Sequence, residues 1–356
     1  CNTLPGERYG RLKRVHNRYN AEVNGYFLCD RGRFGAGFVN SERRLDYPGI
    51  RRPDGRYDAL NHHDALQHMI AACGGKRVAG IGSPRASVET NYLLRNLVGA
   101  DNFSPGLSDT EHELVNQALQ LQRASSALLP DLATMESADA VLILGEDVTN
   151  TAPRIALALR QSVRNKAYAM AADLRLETWQ DAAIRNLAQD QRSPLFSACT
   201  GDTPLDDVAE DCWSLAPGNI ARLGFAVASA IGGSGSSEDD PDTAARVTTI
   251  AQALASAERP LIVSGTGACS SAVLDAAAAV AAALCATGKH AMLSLAVPEA
   301  NSLGQAMLAG SEAPTLGQLA ERVAAGDIDT LVILENDLFR RMPAAGANSL
   351  MRGEAN

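Results

Sequence analysis

The sequence predicts an α/β protein, two related parallel-sheet subdomains behind a small basic module, and three observations carry that expectation. Short apolar runs of strand length each lead into a glycine-containing turn and then into apolar residues at helical spacing. This unit occurs at two distant places in the chain, as an internal repeat does. Composition also changes abruptly near residue 58.

The module comes first. Residues 1 to 58 hold 12 of the 32 basic residues against 7 of the 41 acidic ones, a balance of +5, while the remainder holds 20 against 34, a balance of −14. The same stretch carries eight of the 16 aromatic residues: Tyr9, Tyr19, Tyr26, Phe27, Phe34, Phe38, Tyr47 and Tyr57. Tyr26-Phe27-Leu28-Cys29 followed by Asp30-Arg31-Gly32-Arg33-Phe34-Gly35 reads as a short strand or turn ending in a glycine-punctuated loop. Cations such as Arg31 and Arg33 close to the Cys29 thiol favour the thiolate, and with it metal ligation or reactivity. A basic, solvated loop with an incidental buried cysteine accounts for the same residues, and these residues alone leave both readings open. Nucleic-acid binding is the rival for an Arg- and Tyr-rich stretch. Interleaved acids, the acidic remainder and the absence of RRM, KH or zinc-finger spacing argue against it.

In the body, Gly75 to Ser83 reads as a buried strand running into a Gly-Ser turn, and Pro84 to Val98 as the helix after it, with Val88, Leu93, Leu94 and Leu97 at helical spacing. Glu258 to Gly267 followed by Ser270 to about Cys285 is the second copy. A further pair, Asp139 to Asp147 and Asp329 to Asp337, repeats a strand ending in acidic residues. The polar, glycine-rich stretch 232–244 reads as a linker, which places subdomains at about 59–231 and 245–356. His62-His63 and His68 do not have a clear ligand spacing and read as the start of a surface helix capped by Asn61.

Ligands of parallel α/β sheets lie beyond the carboxyl ends of the strands. The loops to inspect are therefore Gly82 to Ser87, Gly145 to Pro153, Gly265 to Ser270 and Glu335 to Arg341. Backbone N–H groups in such loops bind phosphate. Gly145-Glu146-Asp147 and Glu335-Asn336-Asp337 place carboxylates where a phosphate would sit, which disfavours anions there. Neither a G-x-G-x-x-G fingerprint nor a Walker A sequence is present, and Gly80-x-Gly82 and Gly265-Thr266-Gly267 are weak substitutes.

The seven cysteines are an odd number scattered through a chain of 356 residues, which fits a reducing compartment, and all except Cys1 and Cys29 read as small buried apolar side chains. No apolar run reaches the roughly 18 residues of a membrane span, the longest being the Ala-rich stretch Val273 to Cys285, which reads as a buried amphipathic helix, and no secretory signal appears. Cys rather than Met at position 1 reads as a fragment or a processed chain.

Cys1-Asn2-Thr3, Pro5-Gly6-Glu7-Arg8-Tyr9-Gly10, Asn17-Arg18-Tyr19-Asn20 and Phe27 to Gly35 resemble the G-subunit family of bacterial NADH-quinone oxidoreductase, respiratory complex I. The resemblance continues through Gly80 to Glu89, Leu144 to Thr149 and Leu334 to Leu338, and so covers essentially the whole chain. It implies a molybdopterin-oxidoreductase-like body over 47–356 behind the C-terminal part of a 4Fe-4S module, of the Mo/W bis-MGD type, over 1–46. In that family pattern 27 residues separate the third and fourth cysteine ligands, as they separate Cys1 and Cys29 here, so the resemblance makes these two the third and fourth ligands. The first two would lie upstream, and two thiolates do not hold a cubane unaided, so the cluster is expected in the intact protein and not in this piece alone.

The resemblance further implies electron transfer from NADH to quinone with proton translocation in the whole complex, other peripheral-arm subunits as partners, no nucleic acid and no direct membrane insertion. Its place is the cytoplasmic side of the bacterial inner membrane, as a peripheral protein. No molybdenum cofactor is expected, because Glu146-Asp147-Val148 replaces the usual Asn-Pro and no cysteine occurs from Gly74 through Ala198. Ser104 is the one conceivable metal ligand, and a weak one. The alternative readings are a fragment of an active molybdopterin-dependent oxidoreductase and an N-terminal nucleophile hydrolase using Cys1. The strand-turn-helix order speaks against the hydrolase.

Overall fold

A computed structural model describes residues 1–233 and 240–352. Its strands, in chain order, are β1 (Thr3–Arg8), β2 (Arg11–Asn17), β3 (Gly49–Arg51), β4 (Tyr57–Ala59), β5 (Val78–Ile81), β6 (Phe103–Ser104), β7 (Ala140–Leu144), β8 (Leu195–Cys199), β9 (Asp211–Ser214), β10 (Pro260–Gly265), β11 (Met292–Ala296) and β12 (Thr330–Ile333). The chain divides into two compact units, each assembled from separated stretches.

One unit comprises Cys1–Asn2, Tyr19–Cys29 and Glu113–Pro298. Its sheet has five parallel strands in the order β11-β10-β7-β8-β9. Apolar runs such as Ala-Val-Leu-Ile-Leu in β7 suit this position, because parallel strands are covered by helices on both faces. Leu142, Leu144, Phe196 and Ile262 point into one core layer, packed by the helices Pro217–Ile231, Pro241–Ser256 and Ser271–Ala286. Val141, Ile143, Leu195, Leu261 and Val263 alternate into the other, closed by Leu132–Glu136 and Pro153–Ser162. The Ala-rich stretch is the buried helix expected, Ser271–Ala286.

The other unit comprises Thr3–Arg18, Asp30–His112 and the chain from Glu299 onward. It holds the parallel sheet β12-β5-β6 and a core of Ala79, Ile81, Leu316, Leu319, Leu338, Ala347 and Leu350. The helix expected from Pro84 begins at Val88, since the Ser87 hydroxyl accepts the Thr90 N–H at 3.1 Å and caps it. Asn61 caps His62–Cys73 as expected, accepting the Asp64 N–H at 2.9 Å. β1 and β2 form an antiparallel hairpin whose turn, Tyr9-Gly10, has positive φ at both residues, the geometry of a primed turn.

Three expectations are corrected. The strands pair across the division placed at 232–244: β5 pairs with β12, and β7 with β10, so neither sheet comes from one contiguous half. Repeated strand-helix units establish parallel crossovers but not which strand lies beside which, since sequence neighbours pair only about two-thirds of the time. Of that proposed linker, residues 234–239 lie outside the described residues, and the helix Pro241–Ser256 takes up its end. The glycine-punctuated loop after Cys29 is helical, Asp30–Phe34 followed by a 3-10 turn Gly35–Asn40. Of the five cysteines read as buried, only Cys199 is; Cys73 and Cys285 are half-buried, and Cys212 and Cys269 are exposed. Among the described residues no helix is long and apolar enough to cross a membrane.

Candidate functional site

The strand-end loop of the five-stranded sheet is closed by a carboxylate. Glu146, two residues beyond the end of β7, is 2% exposed. Its Oε2 accepts the Gly267 N–H at 2.7 Å and its Oε1 the Thr151 hydroxyl at 2.7 Å. Gly267 is needed for this approach, because a Cβ there would lie 2.8 Å from Oε2. Burial pushes the Glu146 carboxyl above the ordinary carboxylate range, the Thr151 and Gly267 donors pull it back, and neighbouring Asp147 pushes it up again. Asp147 caps the next turn by accepting from Thr149, and the Cys199 thiol, pushed up mainly by burial, reaches the Glu146 carbonyl at 3.6 Å. The Gly267 donor that a phosphate would use is thus already taken.

In the other unit the equivalent strand ends are closed by amides. Asn336 Nδ2 donates to the carbonyls of Gly82 and Gly106, both at 2.7 Å. The fully buried Asn91 accepts the Ser83 N–H at 3.0 Å and donates to the Ser83 carbonyl at 2.9 Å, while Gln305 donates to Asn91 Oδ1 at 2.7 Å. The Ser83 hydroxyl donates to the Glu335 carbonyl. Ser104, the conceivable metal ligand, is buried at the end of β6, where its hydroxyl takes the Gly106 N–H at 3.4 Å. Beside these loops Arg85, Glu335, Asn336, Asp337, Arg340 and Arg341 line an open cleft of about 540 Å³. Arg341 is nearly buried and paired with Glu111 at 3.2 Å and Glu299 at 2.9 Å, so its charge is spent internally. The sequence marks the loop that ends at Arg341 but not this burial and pairing, because the partners are distant in the chain.

The two candidate cluster ligands fall in one unit although 27 residues separate them, and the hairpin between them belongs to the other unit. Asn24, 2% exposed, accepts the Asn2 N–H at 3.0 Å and donates to the carbonyls of Gly25 at 3.2 Å and Phe27 at 3.1 Å. Cys1 is exposed, Cys29 half-buried and Leu28 beside it buried. From the helix Pro153–Ser162, Arg154 donates to the Val23 carbonyl at 2.9 Å and pairs with Glu136 at 2.6 Å. A 4Fe-4S cluster takes four thiolates. This chain fits it as half a donor set: two thiols carried on backbones tied to one buried amide, with no group of three or more His, Cys, Asp and Glu able to hold a metal among the described residues. A pterin nucleotide does not fit these strand-end loops, because Glu146 takes the Gly267 N–H and Asn91 the Ser83 N–H, donors that its phosphates would need.

The chain matches the sequence model described as molybdopterin oxidoreductase over residues 44–195, and that described as molybdopterin oxidoreductase Fe4S4 domain over residues 1–41. It is similar to the G subunit of NADH-quinone oxidoreductase from Pseudomonas fluorescens, 46% identical over 353 residues. The G subunit from Salmonella typhimurium is 45% identical and that from Escherichia coli K12 44%, each over 354 residues. These alignments cover 99% of the chain, which spans about 38% of the length of the relatives it matches. Among solved structures, the formyltransferase/hydrolase complex from Methylorubrum extorquens has a chain of similar fold, with a TM-score of 0.52, 16% identity, 78% of this chain and 74% of that chain.

Proposed function

Because the chain belongs to the G-subunit family of NADH-quinone oxidoreductases, with the domains of the molybdopterin oxidoreductases, we propose that it serves as an iron-sulfur electron-transfer and scaffold part of that complex. The observation that carries this reading is 44–46% identity along 99% of the chain. In the whole protein Cys1 and Cys29 supply the third and fourth thiolates of a 4Fe-4S cluster; single electrons hop through other iron-sulfur clusters of the complex, and hydride transfer from NADH and reduction of quinone, coupled to proton translocation, occur on other parts of it. The cluster lies off the main electron route, and its role is structural. The α/β body keeps the superfamily fold as a scaffold, with Glu146 and Asn91 taking backbone donors that would otherwise meet a pterin nucleotide. Its partners are the other peripheral-arm subunits, on the cytoplasmic side of the bacterial inner membrane, without insertion into the bilayer.

Iron, acid-labile sulfide and EPR measurements on the full-length protein in the assembled complex test the ligand assignment. Cys29→Ala is expected to remove one 4Fe-4S signal and leave the others; retention of every signal sinks the assignment. Elemental analysis of the same preparation addresses the body. Stoichiometric molybdenum or tungsten with a pterin would make it an active molybdopterin enzyme and overturn the scaffold reading.

A further inference from the structure

We infer that Asn24 is the positioning residue that sets the separation of the two cysteine thiols, an inference that rests on their assignment as cluster ligands. A cluster demands its sulfurs within a narrow range of positions, and a chain of 27 intervening residues does not keep its ends together by itself. Both cysteine-bearing backbones meet at this one amide. Its oxygen accepts the N–H of Asn2, the residue after Cys1, and its nitrogen donates to the carbonyl of Phe27, two residues before Cys29. A carboxamide does both at once, its acceptor and donor being held a fixed distance apart on one planar group. The amide is itself held: Asn24 N–H donates to the Asn20 carbonyl at 3.1 Å, the preceding Val23 carbonyl accepts from Arg154, and Arg154 is fixed by Glu136. A relay of hydrogen bonds therefore runs from the helical body to the backbone beside each cysteine. The burial of Asn24 keeps water from competing for these bonds.

The test uses the full-length protein in the assembled complex, with Asn24→Ala and Asn24→Asp, and reads cluster loss to an iron chelator together with the midpoint potential of that cluster's EPR signal. Asn24→Ala is expected to lose this cluster about 10-fold faster than wild type, with the other iron-sulfur signals unchanged. Asn24→Asp keeps the acceptor for Asn2 and removes the donor to Phe27, so it is expected to retain the cluster at a lowered potential. Hydrogen exchange of β7 and β10 reports whether the body is intact. Wild-type loss rate and potential in Asn24→Ala, with the body intact, would overturn the inference, as would wild-type values in Asn24→Asp where the alanine variant does not fold. Survival of the signal in Cys29→Ala would instead overturn the ligand assignment, and this inference with it.

Discussion

The two parallel sheets close their strand-end loops with different chemistry. In the five-stranded sheet one buried carboxylate, Glu146, holds the Gly267 N–H and the Thr151 hydroxyl; in the three-stranded sheet a set of neutral amides, Asn91, Gln305 and Asn336, ties together Gly82, Ser83 and Gly106. Both arrangements satisfy backbone groups that a ligand would otherwise engage, but only the first carries a proton that can come and go. A neutral network distributes its cost over several bonds and depends on close backbone approach. A buried carboxylate concentrates its cost in one group and makes it depend on pH.

The largest effect is expected where the amide closure depends on backbone proximity. Gly106 has φ +75°, and a Cβ there would fall onto the Gly82 carbonyl oxygen, 2.9 Å from its carbon. Gly106→Ala should cost about 3 kcal/mol or more, from overpacking and the left-handed backbone together. Urea unfolding, with hydrogen exchange to localise the loss to β5 and β6, checks it; wild-type stability would mean the loop opens at little cost and the closure is loose. In the other unit Glu146→Ala leaves the Gly267 N–H without its acceptor, while the Thr151 hydroxyl keeps the Asp147 carbonyl, at an expected cost of about 1–3 kcal/mol. Protection should fall at β7 and β10 and persist at β5, since the two closures are separate.

How far this contrast was legible in the sequence depends on its range along the chain. Glu146 and Asp147 directly after an apolar strand already marked a loop hostile to phosphate, because the residues concerned are adjacent. That the carboxylate reaches Gly267, 121 residues away, required the β7–β10 pairing, and two repeats that look alike do not reveal that each strand prefers the other's neighbour. The caps at Asn61 and the buried Ala-rich helix were readable for the same local reason. Asn24 was not, for nothing in Asn-Gly-Tyr-Phe announces a bond to Asn2, nor does Leu338-Phe339-Arg340-Arg341 announce that one arginine is buried against Glu111 and Glu299.

Removing the charge but not the shape isolates the titrating part of the difference. Glu146 is raised by burial above the ordinary 4.5, so the folded state binds its proton more tightly than the unfolded state. Its favourable contribution is present at pH below that ordinary value and is lost as pH rises through the higher folded-state value. Glu146→Gln does not titrate, keeps an acceptor for Gly267, and should gain on wild type as pH rises from about 4 towards 7. Parallel urea curves across that range check it. A constant gap between the two proteins would mean the site carries no pH dependence.

The smallest effect runs in the opposite direction and lies at the other ends of β5 and β12. Asp329, just before β12, accepts the Arg77 guanidinium through both oxygens, at 2.7 and 3.1 Å, and the Arg77 N–H at 3.1 Å. The Arg77 side-chain and backbone donors hold its carboxyl at about 2, below the ordinary 3.8. A lowered acid stabilises the fold above its ordinary value and stops doing so as pH falls through the lowered one, so this contribution should be full at neutral pH and vanish between about pH 4 and 2. The pair is exposed, so added salt weakens it and its effect on the midpoint is small. Asp329→Asn should therefore melt slightly below wild type at pH 7 and together with it at pH 2, with the gap shrinking in 1 M salt. Acidification would then weaken the strand beginnings of one sheet through Asp329 while relieving the strand end of the other through Glu146. If Asp329→Asn instead kept its deficit at pH 2, the deficit would come from lost packing or capping, and the opposed response of the two units to acid would rest on Glu146 alone.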